Sequence, residues 1–124
     1  MPKFRLRALA PSEAQTQQSI LRYLAISPRV AWAQRMNTGA IKIPVPGGRD
    51  RFVRFGFPGC PDILGQLIDG RLLAVEVKSP SGRASEAQEA FLALVATHGG
   101  VAVLARSTGD LTAILGDPHA DQPG

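Results

Sequence analysis

Residues 61–78 read PDILGQLIDGRLLAVEVK, and this stretch decides the fold. It contains two apolar runs, at 63–68 and 71–77, whose residues are typical of β-strands. Asp69-Gly70 separates the runs, and this dipeptide is one that tight β-hairpin turns favour. We therefore predict an antiparallel hairpin at the centre of the fold.

Three charged side chains flank this hairpin. Asp62 precedes the first strand, and Glu76 and Lys78 end the second, where residues two apart project from the same face. With a plain two-residue turn, Asp62 would lie opposite Val77, on the wrong face to share a ligand with Glu76. We therefore predict a one-residue bulge at Gly65, which brings Asp62 directly opposite Glu76.

The elements around the hairpin follow from apolar runs and from two capping-box patterns, each of which marks the start of a helix. Their order, α, β, ββ, α, β, α, predicts an α/β fold in which helices flank a mixed β-sheet. In chain order, the first element is a helix from about Glu13 to Ala25, with Ser12 and Gln15 as its capping box, followed by a strand at 30–36 and a loop-rich basic segment at 37–59. The hairpin comes next, and after it a helix from Ser85 to about His98, with Ser85 and Gln88 as its capping box. The last elements are a strand at 101–105 and a short helix that starts between Ser107 and Asp110.

Glu13 opens the first predicted helix. It shares a stripe with Gln17, Ile20 and Leu24, which predicts that its carboxylate points inward or along the edge of a cleft. The alternative is an acid that is favoured near a helix N-terminus by the helix dipole.

The composition favours one soluble domain. The chain has 124 residues, of which 44% are hydrophobic and 19% charged, so we expect a single domain over 1–124, with a core at about 12–116, a short basic N-terminal segment and a frayed tail. A lone Cys60 excludes an intramolecular disulfide framework and a multi-cysteine zinc site, and it favours an intracellular, cytoplasmic location. No apolar run approaches the ~20 residues that span a bilayer, so we expect no membrane partner.

The basic residues are unevenly distributed. The net charge is +4, but residues 1–60 carry ten Lys or Arg against two Asp or Glu, whereas residues 61–124 carry four against eight. Eleven of the fourteen basic residues are Arg, whose planar fork suits phosphate oxygens, so we predict a polyanionic partner. Composition alone leaves open a merely soluble, arginine-rich surface. The first candidates for phosphate contacts are Arg35, Arg49, Arg51 and Arg54.

The charged set on the hairpin suits phosphate chemistry. Carboxylate and carbonyl oxygens form a hard site of the kind that Mg²⁺ or Mn²⁺ prefers. Such a cation polarises a phosphoryl oxygen and lowers the pKa of a bound water. Lys78 beside it can orient that water or stabilise negative charge in the transition state.

Pro61-Asp62 followed by Glu76-Val77-Lys78 resembles the signature of the PD-(D/E)xK nucleases. The surroundings resemble the virus-type replication-repair nuclease branch of that superfamily, VRR-NUC, over most of the chain, from about Glu13 to Leu111. The stretches that carry the resemblance are EAQTQQSILRYL at 13–24, Arg35-x-Asn37-x-Gly39, FGFPGCPDILG at 55–65, EVKSPSGR at 76–83 and SEAQEAF at 85–91.

The resemblance implies a restriction-endonuclease-like core and metal-dependent endonuclease cleavage of DNA, with Mg²⁺ or Mn²⁺ as cofactor. Small stand-alone members of this branch, which are often phage-encoded, act as homodimers on four-way (Holliday) junctions, whereas fused members favour flaps. We therefore expect a homodimeric junction-cutting enzyme, which would act in a host cell if it is phage-encoded. The site residues that the resemblance implies are Glu13, Asp62 and Glu76 as metal ligands, the Val77 carbonyl as a further ligand, Lys78 as the catalytic lysine, Gln88 lining the site, and Asn37 and Arg83 as further DNA contacts beside the four arginines.

Several alternatives stay open. Glu76 and Lys78 could form a surface ion pair with no role in function, although the apolar residues around Glu76 disfavour this interpretation. Gln88 is a capping partner, a site residue or both. At the level of function, the alternatives are a flap, repair or restriction-like nuclease and a non-catalytic DNA-binding module of the same fold.

The segment at 40–57 carries two further hypotheses. Its aromatic residues, Phe52, Phe55 and Phe57, are candidates for stacking on bases. Its apolar residues, with Ile41, Ile43 and Val45 among them, are candidates for an arm exchanged between protomers. Cys60 receives no catalytic role, because neither a helix N-terminus nor a histidine lies beside it in the predicted fold. The histidines receive none either, because His98 is most simply a favourable charge at a helix C-terminus and His119 lies in the tail.

Overall fold

Three helices and six strands are present in residues 11–118, the part of the chain that the computed structural model describes. The basic N-terminal segment and the tail after residue 118, including His119, lie outside the described residues. The elements are α1 (Glu13–Ile26), β1 (Val30–Arg35), β2 (Ala40–Ile43), β3 (Arg51–Arg54), β4 (Ile63–Leu67), β5 (Leu72–Val77), α2 (Glu86–Thr97), β6 (Val101–Ala105) and α3 (Thr108–Leu115).

Four strands form the main sheet, in the order β1-β4-β5-β6. The pairs β1/β4 and β4/β5 are antiparallel, whereas β6 runs parallel to β5 after the crossover through α2. The predicted mixed sheet flanked by helices is thereby confirmed. None of the helices in residues 11–118 is both long and apolar enough to cross a membrane.

Local capping residues fix the starts of α1 and α2. In both helices the predicted capping box is present, with Ser12 and Gln15 in α1 and Ser85 and Gln88 in α2. The start of α3 differs, because Ser107 makes no side-chain capping bond there. Instead, the Asp110 carboxylate accepts a hydrogen bond of 2.8 Å from the backbone N–H of Arg106.

The two faces of the main sheet differ in what covers them. One face carries Ile63, Leu73 and Val75, which are buried in a core that α1 and α3 complete through Ile20 and Leu111. Because side chains alternate along a strand, residues 62, 64, 74, 76 and 78 belong to the other face, where α2 packs. The acidic residues of the hairpin therefore lie on the face opposite α1.

The turn between β4 and β5 sets the register of the hairpin. Gly65 pairs with Leu73 in an uninterrupted ladder, and the Leu67 N–H donates to the Arg71 carbonyl at 2.8 Å. The loop thus has three residues and ends at Gly70, whose φ of +96° suits glycine in such turns. Continued by one pair, this register brings Asp62 opposite Glu76, as we predicted.

The predicted bulge at Gly65 is wrong, because the three-residue turn already supplies the shift. Gly65 instead allows β1 to come close, since a Cβ there would lie 2.6 Å from the Trp32 carbonyl oxygen. The register irregularity is in β1, between Val30 and Trp32.

Residues 40–54, which the sequence predicted as loop, contain a separate antiparallel ribbon of β2 and β3. We call residues 40–54 the ribbon. Its strands have only four residues each, and prolines and glycines at 44–48 separate them, so their pattern is too short to stand out from a loop. At the base of the ribbon, the Phe55 N–H donates to the Gly39 carbonyl at 2.9 Å.

Candidate active site

Asp62 is held in place by its backbone and its side chain. Its Oδ2 accepts a hydrogen bond of 2.8 Å from the Val77 N–H, one residue beyond Glu76 on β5. Its carbonyl accepts a hydrogen bond of 2.7 Å from the Met36 N–H, which directly follows β1. The carboxylate is therefore fixed against the end of β5.

Glu76 is almost fully buried, with 2% of its surface exposed. The Gln88 side-chain amide donates to Glu76 Oε1 at 3.1 Å, and Lys78 Nζ lies 3.6 Å from the same oxygen. The other oxygen, Oε2, is buried and no N–H or O–H group donates to it. The structure thus places a carboxylate in the protein interior and satisfies only one of its two oxygens.

Burial is the largest cause that raises the pKa of Glu76 to about 8, and the adjacent Asp62 carboxyl contributes to the same rise by hydrogen bonding and charge repulsion. The Lys78 ammonium opposes this shift but does not cancel it. Two carboxylates have only acceptor atoms, so a hydrogen bond between them needs a shared proton. In the metal-free protein near pH 7, the carboxyl pair therefore retains a proton.

The chemistry of this pair fits a hard divalent cation. An unpartnered buried carboxylate oxygen is costly, and a bound cation would remove that cost. The donor atoms offered by Asp62 and Glu76 are all oxygens, which Mg²⁺ and Mn²⁺ prefer.

Glu13 does not join this pair. It is exposed in the first turn of α1, on the opposite side of the sheet. Within residues 11–118, no group of three or more His, Cys, Asp or Glu side chains is placed to hold a metal ion. Within the described residues, the structure therefore does not bring the three expected carboxylates together. The buried stripe of α1 starts one turn later, at Thr16, and the exposed Glu13 fits the helix-dipole interpretation.

Lys78 lies on the same face as Glu76, and only 17% of its side chain is exposed. Its backbone N–H donates to the Ala105 carbonyl at 3.0 Å, which continues the pairing of β5 with β6. Because Glu76 is buried, the two residues are not a surface ion pair.

Arg106 is a residue of this region that sequence reasoning missed. Its Nη1 donates to the carbonyls of Ser79 at 2.7 Å and Gly82 at 2.6 Å, with Pro80 at 3.4 Å. The guanidinium thus ties down the loop that directly follows Lys78. All its acceptors are backbone carbonyls, which leave no pattern of residue types in the sequence.

Gln88 has both of the roles that the sequence left open. Its backbone N–H and side-chain oxygen complete the capping box with Ser85, and its side-chain nitrogen donates to Glu76. Gly59 holds this end of α2 close, since its φ is +80° and a Cβ there would lie 2.2 Å from the Ala87 carbonyl oxygen.

The six residues predicted to contact DNA are all exposed. Three of them, Arg49, Arg51 and Arg54, lie on the ribbon. The ribbon begins just after the Met36–Asp62 hydrogen bond, so these arginines extend from the chain next to the acidic pair. The other three, Arg35, Asn37 and Arg83, lie at the end of β1, between β1 and the ribbon, and in the loop before α2.

Cys60 and a cleft at the other end of β5 do not present a second group of catalytic side chains. Cys60 is buried, and burial raises the pKa of its thiol, which disfavours a nucleophile. A cleft of about 650 Å³ lies at the other end of β5, beside Leu72 and Leu94. Its only acid is Asp69, which pairs with Arg71 at 2.8 Å.

A mixed sheet whose central hairpin presents Asp62 against Glu76 and Lys78 on one face defines a nuclease of the PD-(D/E)xK type. A family model described as VRR-NUC domain matches residues 7–109, and the chain belongs to the VRR-NUC family. No curated protein and no solved structure matches the chain. The family and the site together make it a nuclease, a hydrolase that acts on DNA.

Proposed function

We propose that the protein is a divalent-metal-dependent endodeoxyribonuclease that cuts branched DNA as a homodimer, with four-way junctions as its substrate. The observation that carries the metal-dependent activity is Glu76 Oε2, a buried carboxylate oxygen without a donor, beside Asp62 and on the same face as Lys78. Without a cation the buried pair is neutralised only by the proton that it retains, whereas a bound cation would neutralise both carboxylates.

In this proposal, Asp62 and Glu76 hold Mg²⁺ or Mn²⁺, with the Val77 carbonyl as a further ligand. The bound cation supplies charge to polarise the phosphate and to activate a water. The Val77 N–H aims the Asp62 carboxylate, and Gln88 fixes Glu76 Oε1 so that Oε2 stays available. The assignment does not include Glu13.

Lys78 supplies positive charge beside the two carboxylates. Its ammonium lies 3.6 Å from Glu76 Oε1, so it would stand beside a phosphate held at this site, whose non-bridging oxygens gain negative charge as water attacks. A fixed cation at that point stabilises the transition state more than the bound substrate.

The exposed arginines beside the site account for DNA binding. Each phosphate that they neutralise releases counterions, so the affinity for duplex DNA falls with salt by a logarithmic slope of roughly 0.9 per contact. Contacts to phosphates carry no sequence information. They suit an enzyme that recognises the shape of DNA.

The proposed homodimer is based on the symmetry of the proposed substrate. One chain has one such site, whereas resolving a four-way junction takes two symmetric nicks. A twofold dimer provides two sites at a fixed separation.

A single gel assay tests the proposed function. Four-way junction, flap, splayed duplex and linear duplex of equal sequence are incubated with the protein in Mg²⁺, Mn²⁺ or EDTA, and light scattering measures its mass. We expect paired nicks in the junction with either metal, none in EDTA, and the mass of a dimer. A monomer that cuts flaps and ignores junctions would instead favour a flap nuclease, and a protein that binds DNA and never cuts would favour a non-catalytic module.

A further inference from the structure

We propose that one face of the ribbon binds an unstacked base of DNA, with Phe52 stacking on the base and Lys42 and Arg54 contacting the phosphates beside it. The inference rests on the proposed function and deepens it. It restricts the substrate to DNA in which a base lies outside a continuous stack.

The register of the ribbon places these three side chains together. Lys42 pairs with Phe52 and Ala40 pairs with Arg54 in the antiparallel ladder. Directly paired residues share a face, and so do residues two apart on one strand. Lys42, Phe52 and Arg54 therefore project from one face. Asp50 pairs with Lys42 there, and Arg54 leaves the face with a net positive charge.

The opposite face of the ribbon is different in character. It carries Ile41, Ile43 and Val53, with Arg51 at its edge. The ribbon thus has an aliphatic face and a face that combines an aromatic ring with positive charge.

Phe52 is 71% exposed, so the protein itself covers little of its ring. Aromatic rings flanked by Lys or Arg are what proteins use to hold single nucleotides, because every base has a face for stacking and every nucleotide has a phosphate. The exposed ring and the two cations provide both contacts on one surface.

The charge of the ribbon favours DNA over a second copy of the chain as the occupant. Residues 40–54 carry four basic residues and one acidic residue. Lys42 pairs with Asp50 at 3.0 Å, and within the described chain the ribbon arginines form no salt bridge. Two such faces would repel each other, whereas a polyanion complements them.

The base of the ribbon is joined to the chain that contacts the acidic pair. It is closed by the hydrogen bond from the Phe55 N–H to the Gly39 carbonyl, and three residues before Gly39 the Met36 N–H donates to the Asp62 carbonyl. Phe52 is three residues from Phe55, or about 10 Å along a strand. We therefore expect DNA whose base is held by Phe52 to extend to the acidic pair.

Continuous duplex offers no target for this ring, because both faces of each internal base are covered by its neighbours. Branch points and single strands do offer one. The inference thus predicts that Phe52 distinguishes branched from continuous DNA.

The test measures binding by fluorescence anisotropy in EDTA, with a labelled four-way junction, a splayed duplex and a continuous duplex of equal sequence. Phe52→Ala should weaken binding to the two branched DNAs by about tenfold and binding to the continuous duplex by less than twofold. Phe52→Trp should retain wild-type binding. Ile41→Ala is the matched control, because Ile41 is 49% exposed on the other face of the same ribbon, and it should have no effect.

Charge provides a second criterion. Arg54→Gln should weaken binding to all three DNAs and reduce the logarithmic salt slope by about one, whereas Phe52→Ala should leave the slope unchanged.

The inference is overturned if Phe52→Ala binds all three DNAs as the wild type does, or if it loses the same affinity for each of them. It is also overturned if Phe52→Ala changes the mass of the protein in solution, because this face would then be a contact between copies. A wild-type protein that cuts none of the DNAs in Mg²⁺ or Mn²⁺ would count against the proposed function. A wild type that cuts, together with unchanged binding by Phe52→Ala, would count against this inference alone.

Discussion

Glu76 is the residue whose environment most needs an explanation. Burial leaves only 2% of Glu76 exposed, so its carboxylate has lost almost all of its water. One of its two oxygens has no protein donor that replaces this water. Such a group stays in a fold only when it is neutralised by a proton or paired with a cation. If Glu76 holds the cation as proposed, the same carboxylate affects both the stability of the fold and the nuclease activity.

The raised pKa of Glu76 predicts how the stability of the metal-free protein depends on pH. Between about pH 4.5 and pH 8, the native state holds a proton that the unfolded chain has released. This stability is fully present below pH 4.5 and is lost as the pH rises through about 8. We expect the free energy of unfolding, measured by denaturant titration in EDTA, to fall by up to a few kcal/mol over that range.

Glu76→Gln should remove this loss, because the amide does not titrate. Glu89→Gln, at an exposed position on α2, should retain the wild-type slope of stability against pH. A wild type and a Glu76→Gln variant with parallel slopes would contradict the assignment of this pKa to Glu76.

The proposed role of Lys78 predicts that its substitution affects DNA cleavage much more than DNA binding. Lys78→Ala should lower the cleavage rate by about 100-fold or more, because a fixed charge is lost where the transition state needs it. DNA affinity, measured by anisotropy, should change little. Arg71→Ala removes an exposed cation at the other end of β5 and should cut normally. Equal losses of binding and cleavage in Lys78→Ala would make Lys78 only a DNA contact.

At the scale of elements, the loop after β5 depends on Arg106. Arg106→Gln leaves the carbonyls of Ser79 and Gly82 without their donor, and we expect a loss of stability of about 1–2 kcal/mol. Because the loop directly follows Lys78, kcat should fall with little change in KM. Arg106→Lys should restore part of kcat. A variant that is less stable but has unchanged kcat would reduce Arg106 to a structural role.

The contact between Gly59 and α2 predicts a second effect at this scale. Gly59→Ala forces a Cβ against the Ala87 backbone at a positive φ, so we expect destabilisation of more than 1 kcal/mol. It should also displace Gln88 and reduce cleavage. Gly39→Ala is the control, because its Cβ would meet nothing within 4 Å. Equal melting temperatures for the two variants would show that the contact is not tight.

The sequence predicts those elements whose signals are local. The capping boxes at Ser12 and Ser85 mark two helix starts, because both partners lie within one turn. The register of the hairpin follows from the need to bury one face. The bulge at Gly65 was wrong because Asp69-Gly70 fits a two-residue or a three-residue turn equally well.

The site was predictable to the same extent. Asp62, Glu76 and Lys78 lie on one hairpin, so strand alternation alone brings them together. The position of Glu13 depends on which side of the sheet α1 packs, and no local signal fixes that. Arg106 acts on backbone carbonyls, which no sequence pattern reveals.

Across the whole molecule, the charges divide along the chain: residues 1–60 have an excess of basic residues and residues 61–124 an excess of acidic ones. In the proposed function, the ribbon arginines attract DNA, and the carboxylates of the acidic pair would repel it unless a cation neutralises them. We therefore expect metal binding to strengthen DNA binding.

We propose above that Asp62 and Glu76 form the metal-dependent cleavage site. The most direct measurement is the single-turnover cleavage rate of a four-way junction in Mn²⁺ and in EDTA, for wild type, Asp62→Asn, Glu76→Gln and the control Glu89→Gln. We predict that wild type and Glu89→Gln cut in Mn²⁺ alone, and that the other two bind the junction and cut at least 100-fold more slowly. Wild-type rates for Asp62→Asn and Glu76→Gln, or undiminished cutting in EDTA, would contradict the account.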